Sequence, residues 1–372
     1  MSRYLKSYQV VLKTVGPVYI GSGKEIGKKE YIFLNNTTVG IPKIEELYRM
    51  LFRKGKKAEF ENYLLGNTYE DLTHFLFRQH LKKEEIRSIL KYTLDCGDAL
   101  LEEKKRMQIL ECMKDTYGMP YVPGSSLKGM LRTILLGNEL LKNHDKYLNL
   151  EKQLIRNVRE PGRVNRIRFM KKEVAGIESE TFHTLNKDKI HPENAVNDVM
   201  QGFIVSDSEP VSLESLILAQ SVEVHTNNIE KNLPLLREAF CPGTEIRFTI
   251  TIDTETCPFS EDYLLKAIER VNACYYSDFL SAFSKAKKLD DLTVYLGGGS
   301  GFASKTIVYP LCGKRKSLEI IPAIFDKIGV SDKHGHKNDE KLGVSPHILK
   351  CSRYNGRLYQ MGQCRIEKIV SI

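Results

Sequence analysis

Apolar and polar positions alternate in short runs along most of the chain, with helical spacing between them. Residues 8–15 (Y-Q-V-V-L-K-T-V) are rich in β-branched residues and predict a strand. Gly16-Pro17 breaks the run, and Val18-Tyr19-Ile20 resumes it before a turn at Gly21-Ser22-Gly23. Residues 31–34 and 38–41 flank Asn35-Asn36, a hairpin signal. Pro42 then opens a helix with Ile44, Leu47, Tyr48 and Leu51 at helical spacing. Residues 60–94, with Leu72, Phe75, Leu76 and Leu90, continue that period, which predicts a helical insertion at about 43–94. Residues 107–113 predict a short strand. Two prolines and Gly124 make 120–124 a rigid turn. Ser125 and Ser126 then cap a helix through Leu127, Met130, Leu131, Ile134 and Leu135. Residues 143–198 are polar, basic and weakly periodic, the pattern of a protruding arm or a loop.

Regular structure is expected again at 202–207, and strands at 216–224 and 245–252, the latter after a turn at 241–244. Ser260 caps a helix to about Lys287, and Tyr295-Leu296 leads into a glycine-rich loop at 297–301. Residues 306–310 read as strand-like and 331–341 as a charged loop. Short alternating elements without a βαβ series argue for an α+β fold with antiparallel sheets and helices on one face. A chain of 372 residues suggests two domains, divided as 1–212 and 213–372.

Composition narrows the class. Hydrophobic residues make up 41% and charged residues 28%, as in globular proteins. No apolar run has the roughly 18 residues a membrane helix needs, and the N-terminus shows no signal-peptide pattern. A cytoplasmic protein is the expectation. The eight cysteines are scattered with no C-x-x-C pair, which speaks for buried free thiols rather than disulfides or a zinc ribbon. The formal net charge of +9 favours an anionic partner. It is concentrated at 152–172, where Arg163, Arg166 and Arg168 stand among eight basic residues against one acid. Arginine suits bidentate phosphate contact, although such a run also serves as a solvated face.

Three segments hold candidate chemistry. The first is Gly124-Ser125-Ser126-Leu127-Lys128 with Arg132 one turn on. Here a helix N-terminus with hydroxyls and cations outlines a phosphate cradle. The second is Gly297-Gly298-Gly299-Ser300-Gly301-Phe302, followed by Lys305-Thr306: flexible amides, an aromatic ring for base stacking, and a cation. It differs from a Walker A loop in having Ser304 where a glycine precedes the lysine, and in the strand-like run that follows. The third is the turn at Gly21, Ser22 and Gly23. Each also reads as an unliganded turn or cap. For catalysis the sequence offers little. The histidines are dispersed, His334 and His336 being the one close pair, so no metal site is expected. His183 is a candidate general base for a metal-independent ribonuclease, and Asp207 a candidate acid, although an Asx-type turn suits it as well.

The order of these segments resembles the RAMP superfamily of CRISPR proteins. They are G-P-V-Y-I-G-S-G from Gly16, P-Y-V-P-G-S-S-L-K-G-M-L-R-T from Pro120 and V-S-D-S-E-P from Val205. Further runs, at 233–244, 295–306, 345–350 and 359–364, are similar to the family that supplies the fifth subunit of the type III-A (Csm) effector complex. The resemblance covers residues 8–364 and is weakest in the helical insertion and the basic arm. It implies two ferredoxin-like (RRM-like) modules, at 1–212 and 213–372, whose glycine-rich loops lie near CRISPR RNA. It implies a non-catalytic, cofactor-free subunit capping the 3′ side of the complex and supporting CRISPR RNA 3′-end maturation and antiviral defence. The implied partners are CRISPR RNA and other Csm subunits, chiefly the repeated backbone RAMP subunit. Target RNA and recruited host nucleases are further candidates, and no membrane is expected. The competing readings are a metal-independent endoribonuclease that processes precursor CRISPR RNA, and a scaffold with no RNA contact.

Overall fold

The structure is a computed structural model that describes residues 4–66, 70–99, 108–165, 170–288, 290–330 and 332–372. It opens with strands β1 (Leu5–Thr14), β2 (Gly21–Ile26), β3 (Ile32–Phe33) and β4 (Thr38–Pro42). Helices α1 (Ile44–Arg53), α2 (Lys57–Leu65), α3 (Leu72–Arg78) and α4 (Lys83–Ser88) follow, then strands β5 (Leu90–Asp95) and β6 (Ile109–Cys112). Next come α5 (Gly124–Lys142), α6 (His144–Arg159), α7 (Lys171–Phe182) and β7 (Phe203–Val205). Strands β8 (Leu216–His225), β9 (Glu230–Phe240) and β10 (Glu245–Asp253) lead to α8 (Glu261–Asp278) and β11 (Thr293–Tyr295). The chain ends with α9 (Val308–Lys327), α10 (Asp339–Leu342), β12 (Ile348–Tyr354), β13 (Arg357–Gln360) and β14 (Gln363–Ser371).

The fold is α+β, with two sheets. The smaller is antiparallel, in the order β11-β14-β1-β10-β7. The larger runs β2-β6-β9-β8-β5-β4-β3, with β12 and β13 joined through β8. It is mixed rather than purely antiparallel, because β5 meets β8 and β6 meets β9 in parallel. Both sheets draw strands from either side of residue 212, so that boundary separates neither sheet: β1 pairs with β10 and β14, and β6 with β9. The alternation in β10 is the physical reason for such pairing. Ile246, Phe248, Ile250 and Ile252 all face one core, beside Val10 and Leu12 of β1. Helices α5, α8 and α9 pack together within that core, through Leu127, Leu131, Leu264, Ile268, Leu311 and Ile320. The helical insertion keeps a core of its own, built on Leu47, Leu51, Phe60, Tyr63, Phe75 and Leu76. Tyr63 stacks on Phe75 at 4.3 Å between centroids.

Several expectations need correction. Residues 90–95 close the insertion as a strand, with Tyr92 and Leu94 buried and their neighbours exposed. Gly21, Ser22 and Gly23 lie within β2 rather than in a turn. The expected basic arm is α6 and α7, packed on the body of the protein: Tyr147, Leu154, Val158, Ile177 and Phe182 are buried. Arg159 pairs with Glu319 at 2.5 Å, and Lys316 with Glu151 at 2.6 Å, tying α6 to α9. Arg166 and Arg168 lie outside the described residues. Ser260 does cap α8, accepting the Tyr263 N–H at 3.2 Å, but the helix ends at Asp278. The run read as strand-like at 306–310 begins α9, and the charged loop holds short helical turns, α10 among them. The eight cysteines are free, and six of them are buried.

Candidate nucleic-acid interface

Two of the glycine-bearing segments and the helix after Pro123 meet around one cleft of about 430 Å³. Its walls include Tyr19 and Gly21 from the segment leading into β2, and Ser125, Ser126 and Gly129 from the first turns of α5. Gly297, Gly298, Lys305 and Thr306 come from the glycine-rich loop and the short turn that precedes α9. What joins them is main-chain pairing. The Tyr19 carbonyl accepts the Gly298 N–H at 2.7 Å, and Leu296 N–H donates to Gly362 at 2.8 Å. Tyr275, Tyr295, Tyr309, Met130 and Ile134 supply an apolar floor. The cleft thus sets an apolar wall beside a rim of amides, hydroxyls and a cation. The Thr306 Oγ1 is buried with no partner among the described residues. Lys305 is exposed to the cleft, and desolvation by the walls holds its pKa below the usual lysine value.

The α5 segment divides. Ser125, Ser126 and Gly129 face the cleft, whereas Lys128 and Arg132, one helical turn apart, lie on another face and line no part of it. Lys128 is half-buried; desolvation lowers its pKa, opposed by Asp198. Arg132 already donates to Asp198 at 2.7 Å, approaches Glu178 at 3.4 Å and lies 4.2 Å from the Phe182 ring centroid. Its charge is therefore spent within the fold. Ser125 and Ser126 are not caps, because they lie inside the first turn. The cap is Asp207, whose Oδ1 accepts the Gly124 N–H at 2.8 Å from the far side of β7. Gly124 is buried; a Cβ there would overlap the carbonyls of Val205 and Ser206, so its role is close helix–strand packing.

The other expected residues distribute as follows. Ser22 Oγ donates to the Glu111 carbonyl at 3.2 Å, and Gly23 projects into open space beyond the cleft. Ser300 is buried, and Phe302, partly buried, meets Phe325 in an edge-to-face contact at 5.1 Å. Gly299 and Gly301 lie on the side of the loop away from the cleft, against Arg237 and Lys350. Arg163 is exposed beside Asp332. A helix does follow the glycine loop, which removes one objection to a Walker A loop; Ser304 in place of glycine still separates the two. His183 lies 3.8 Å from Asp198, outside the cleft. Among the described residues, His336, Asp339 and His347 are the group able to hold a metal ion, with ligand atoms within 4.8 Å of one another. Asp339 already accepts from Ser345 Oγ at 2.6 Å and lies 2.5 Å from His347 Nδ1, so the cluster also serves to staple its loop.

Sequence reasoning placed Tyr19 and Thr306 within candidate segments without giving either a role, and missed Arg237. Arg237 sits in β9 with its guanidinium 5.5 Å from the Tyr19 ring centroid. No local motif in the sequence marks it: the run Leu236 to Phe240 reads as an ordinary strand with one base and one acid.

A sequence profile of the RAMP superfamily matches residues 11–302, and the chain belongs to that superfamily. Among its relatives are the proteins named CRISPR system Cms protein Csm5. That of Mycobacterium tuberculosis is 29% identical over 391 residues, covering 98% of each chain. That of Enterococcus italicus is 27% identical over 401 residues, covering 97% of each. Two solved structures share the fold. A chain from a cryo-EM structure of a Csm-crRNA-target RNA ternary complex of a type III-A CRISPR-Cas system has a TM-score of 0.63 at 20% identity. It matches over 97% of this chain and 100% of its own. The crystal structure of T. onnurineus Csm5 gives 0.59 at 20% identity, over 96% and 100%. The expected resemblance to the fifth Csm subunit therefore holds across the whole chain. Among the described residues no helix is long and apolar enough to cross a membrane.

Proposed function

We propose that this chain is a non-catalytic CRISPR RNA-binding subunit of a cytoplasmic type III-A (Csm) effector complex. In this reading it caps the 3′ side of the CRISPR RNA, contacts the repeated backbone subunit and supports 3′-end maturation in antiviral defence. Its two sheets with their helices are diverged ferredoxin-like modules. The observation that carries the reading is the convergence of Gly21, Ser125, Ser126, Gly297, Gly298 and Lys305 on one cleft with a hydroxyl that has no partner among the described residues. Such a site grips a ribose-phosphate chain through main-chain amides and hydroxyls. The relatives' names and the RNA-containing complex among the structural neighbours support the same assignment.

The test is to copurify the chain with its operon partners, cross-link bound RNA with ultraviolet light and map the modified peptides. Cross-links are expected at Tyr19 and in residues 295–307. RNA bound with cross-links only elsewhere would sink the cleft as the interface. Incubation with repeat RNA in EDTA should give no specific cleavage; cleavage abolished by His183→Ala would establish the enzyme instead.

A further inference from the structure

The glycine loop has two sides, and only Gly297 and Gly298 face the cleft. Gly299 lies against the Arg237 guanidinium on the other side, where an added Cβ would sit 3.2 Å from Cζ. Arg237 belongs to β9, in register with Leu110 of β6 and Ala219 of β8. Its Nη1 donates to Ser221 Oγ, while its Nε is buried with no partner. Among the described residues no carboxylate pairs with it. The adjoining Glu238 is turned into a buried network with Lys114 and Tyr92, and Glu25, which faces Tyr19, is exposed. Desolvation accordingly holds the guanidinium below its ordinary pKa. A largely buried cation without a counter-charge is costly, and folded proteins pair such groups or bring them a ligand.

The loop beside it supplies a second, independent feature. Gly297, Gly299 and Gly301 have φ of 79°, 82° and 100°, alternating with Gly298 and Ser300, which do not take positive φ. Alternation of this kind turns successive N–H groups toward one concavity that binds anions. The amides of Gly299, Ser300 and Gly301 donate to no protein acceptor among the described residues.

We propose that Arg237 and the amides of Gly299, Ser300 and Gly301 form an anion site, distinct from the cleft, that holds one phosphodiester of an RNA strand crossing the outer side of the loop. The proposal rests on the RNA-binding reading above. Tyr19 lies under both sites, so the strand passes over one loop, with a nucleoside in the cleft and a neighbouring phosphate on Arg237.

The experiment compares the full-length wild type with Arg237→Gln and Arg237→Lys, titrating fluorescein-labelled oligouridine RNA by anisotropy across a salt series. Arg237→Gln should weaken binding roughly ten- to hundred-fold and flatten the log–log salt dependence by about 0.7. Its melting temperature without RNA should not fall, since an uncompensated charge is removed. If Arg237→Gln does not fold, Arg237→Lys decides: it should keep the salt slope and lose affinity, and wild-type affinity would overturn the proposal. Wild-type RNA binding with an unchanged slope in Arg237→Gln also overturns it and leaves the RNA-binding reading standing. Absence of RNA binding by the wild type overturns both. A separate arm follows melting in inorganic phosphate: stabilisation abolished by Arg237→Gln, together with an unchanged RNA slope, would assign the site to a free anion and refute the phosphodiester.

Discussion

Gly297→Ala is the sharpest probe of how the loop is fastened. Gly297 has φ +79°, and a Cβ there would overlap the Tyr19 carbonyl oxygen. A left-handed backbone costs an L-residue about 1–2 kcal/mol. The overlap adds to this, because that same oxygen accepts the Gly298 N–H at 2.7 Å. Relieving the clash pushes the loop off Tyr19 and breaks the bond, for about 0.5–1.5 kcal/mol, and more if the acceptor stays buried and unpaired. The total is about 2–4 kcal/mol. Gly23→Ala is the control: φ is +82°, with nothing within 4 Å of the added Cβ. It should cost only the backbone strain, about 1–2 kcal/mol. Urea midpoints at unchanged slope measure both. Cross-linking of RNA to residues 295–307 should fall for Gly297→Ala and persist for Gly23→Ala. Equal destabilisation by the two variants would refute the claim that contact with Tyr19, rather than loop handedness alone, fixes the loop.

Glu238 is fully buried and accepts from Tyr92 Oη at 2.5 Å, from the Cys112 N–H at 2.9 Å and from Lys114. Glu238→Ala removes the nearer carboxylate from the Lys114 ammonium, leaving Glu111 at 3.4 Å, and should cost about 3 kcal/mol by urea unfolding; a near-neutral variant would dismiss the network as a structural element. Asp207→Ala removes the cap on α5 and should cost about 0.5–2 kcal/mol, and an unchanged midpoint would show that Gly124 N–H finds water instead. Burial opposes ionisation of Glu223 and Glu230, but hydrogen bonds from Lys350 to the first, and from Lys285 and Arg353 to the second, hold both below the usual carboxylate pKa. Their contribution is therefore complete above about pH 4.3, the unfolded glutamate value, and fades as pH falls through the lower folded values. Glu223→Gln with Glu230→Gln should flatten stability against pH on that acid limb, and an identical limb would refute the assignment. Burial pushes the thiols of Cys96, Cys112, Cys312, Cys351 and Cys364 up to about 12. At pH 8 a thiol reagent should label half-buried Cys241 first and these five only on unfolding; rapid native labelling of any of the five would contradict their burial.

Local signals in the sequence carried well wherever an element depends on its own residues. The hairpin from Ile32 to Pro42, the apolar stripe of α1 and the Ser260 cap are of that kind. They failed where packing partners decide. Helices α6 and α7 carry sparse apolar positions in a basic stretch, and only their neighbours, α9 and α5, turn Leu154 and Phe182 into core. Ile307, Val308 and Tyr309 have strand-forming side chains, yet the last two open α9, whose short first segment ends in a kink at Gly313 and buries Val308, Tyr309, Leu311 and Cys312.

The site divides along the same physical line. Glycine-bearing turns and a serine-rich helix start are visible in a sequence because they are residue types; which face each side chain presents is set by helix phase and strand register. The five residues from Ser125 to Gly129 span little more than one turn. That is enough to bring Ser125, Ser126 and Gly129 to the cleft while carrying Lys128 toward Asp198. Arg237 is the converse case. No local motif marks it, and it meets the glycine loop only because β9 runs beside β6 and β8 beneath Tyr19. A cation brought to a loop by sheet register, with no acid among the described residues to neutralise it, is retained at a cost in stability. Binding of an anion there offsets that cost, so occupancy by RNA and stability of the folded chain should rise together.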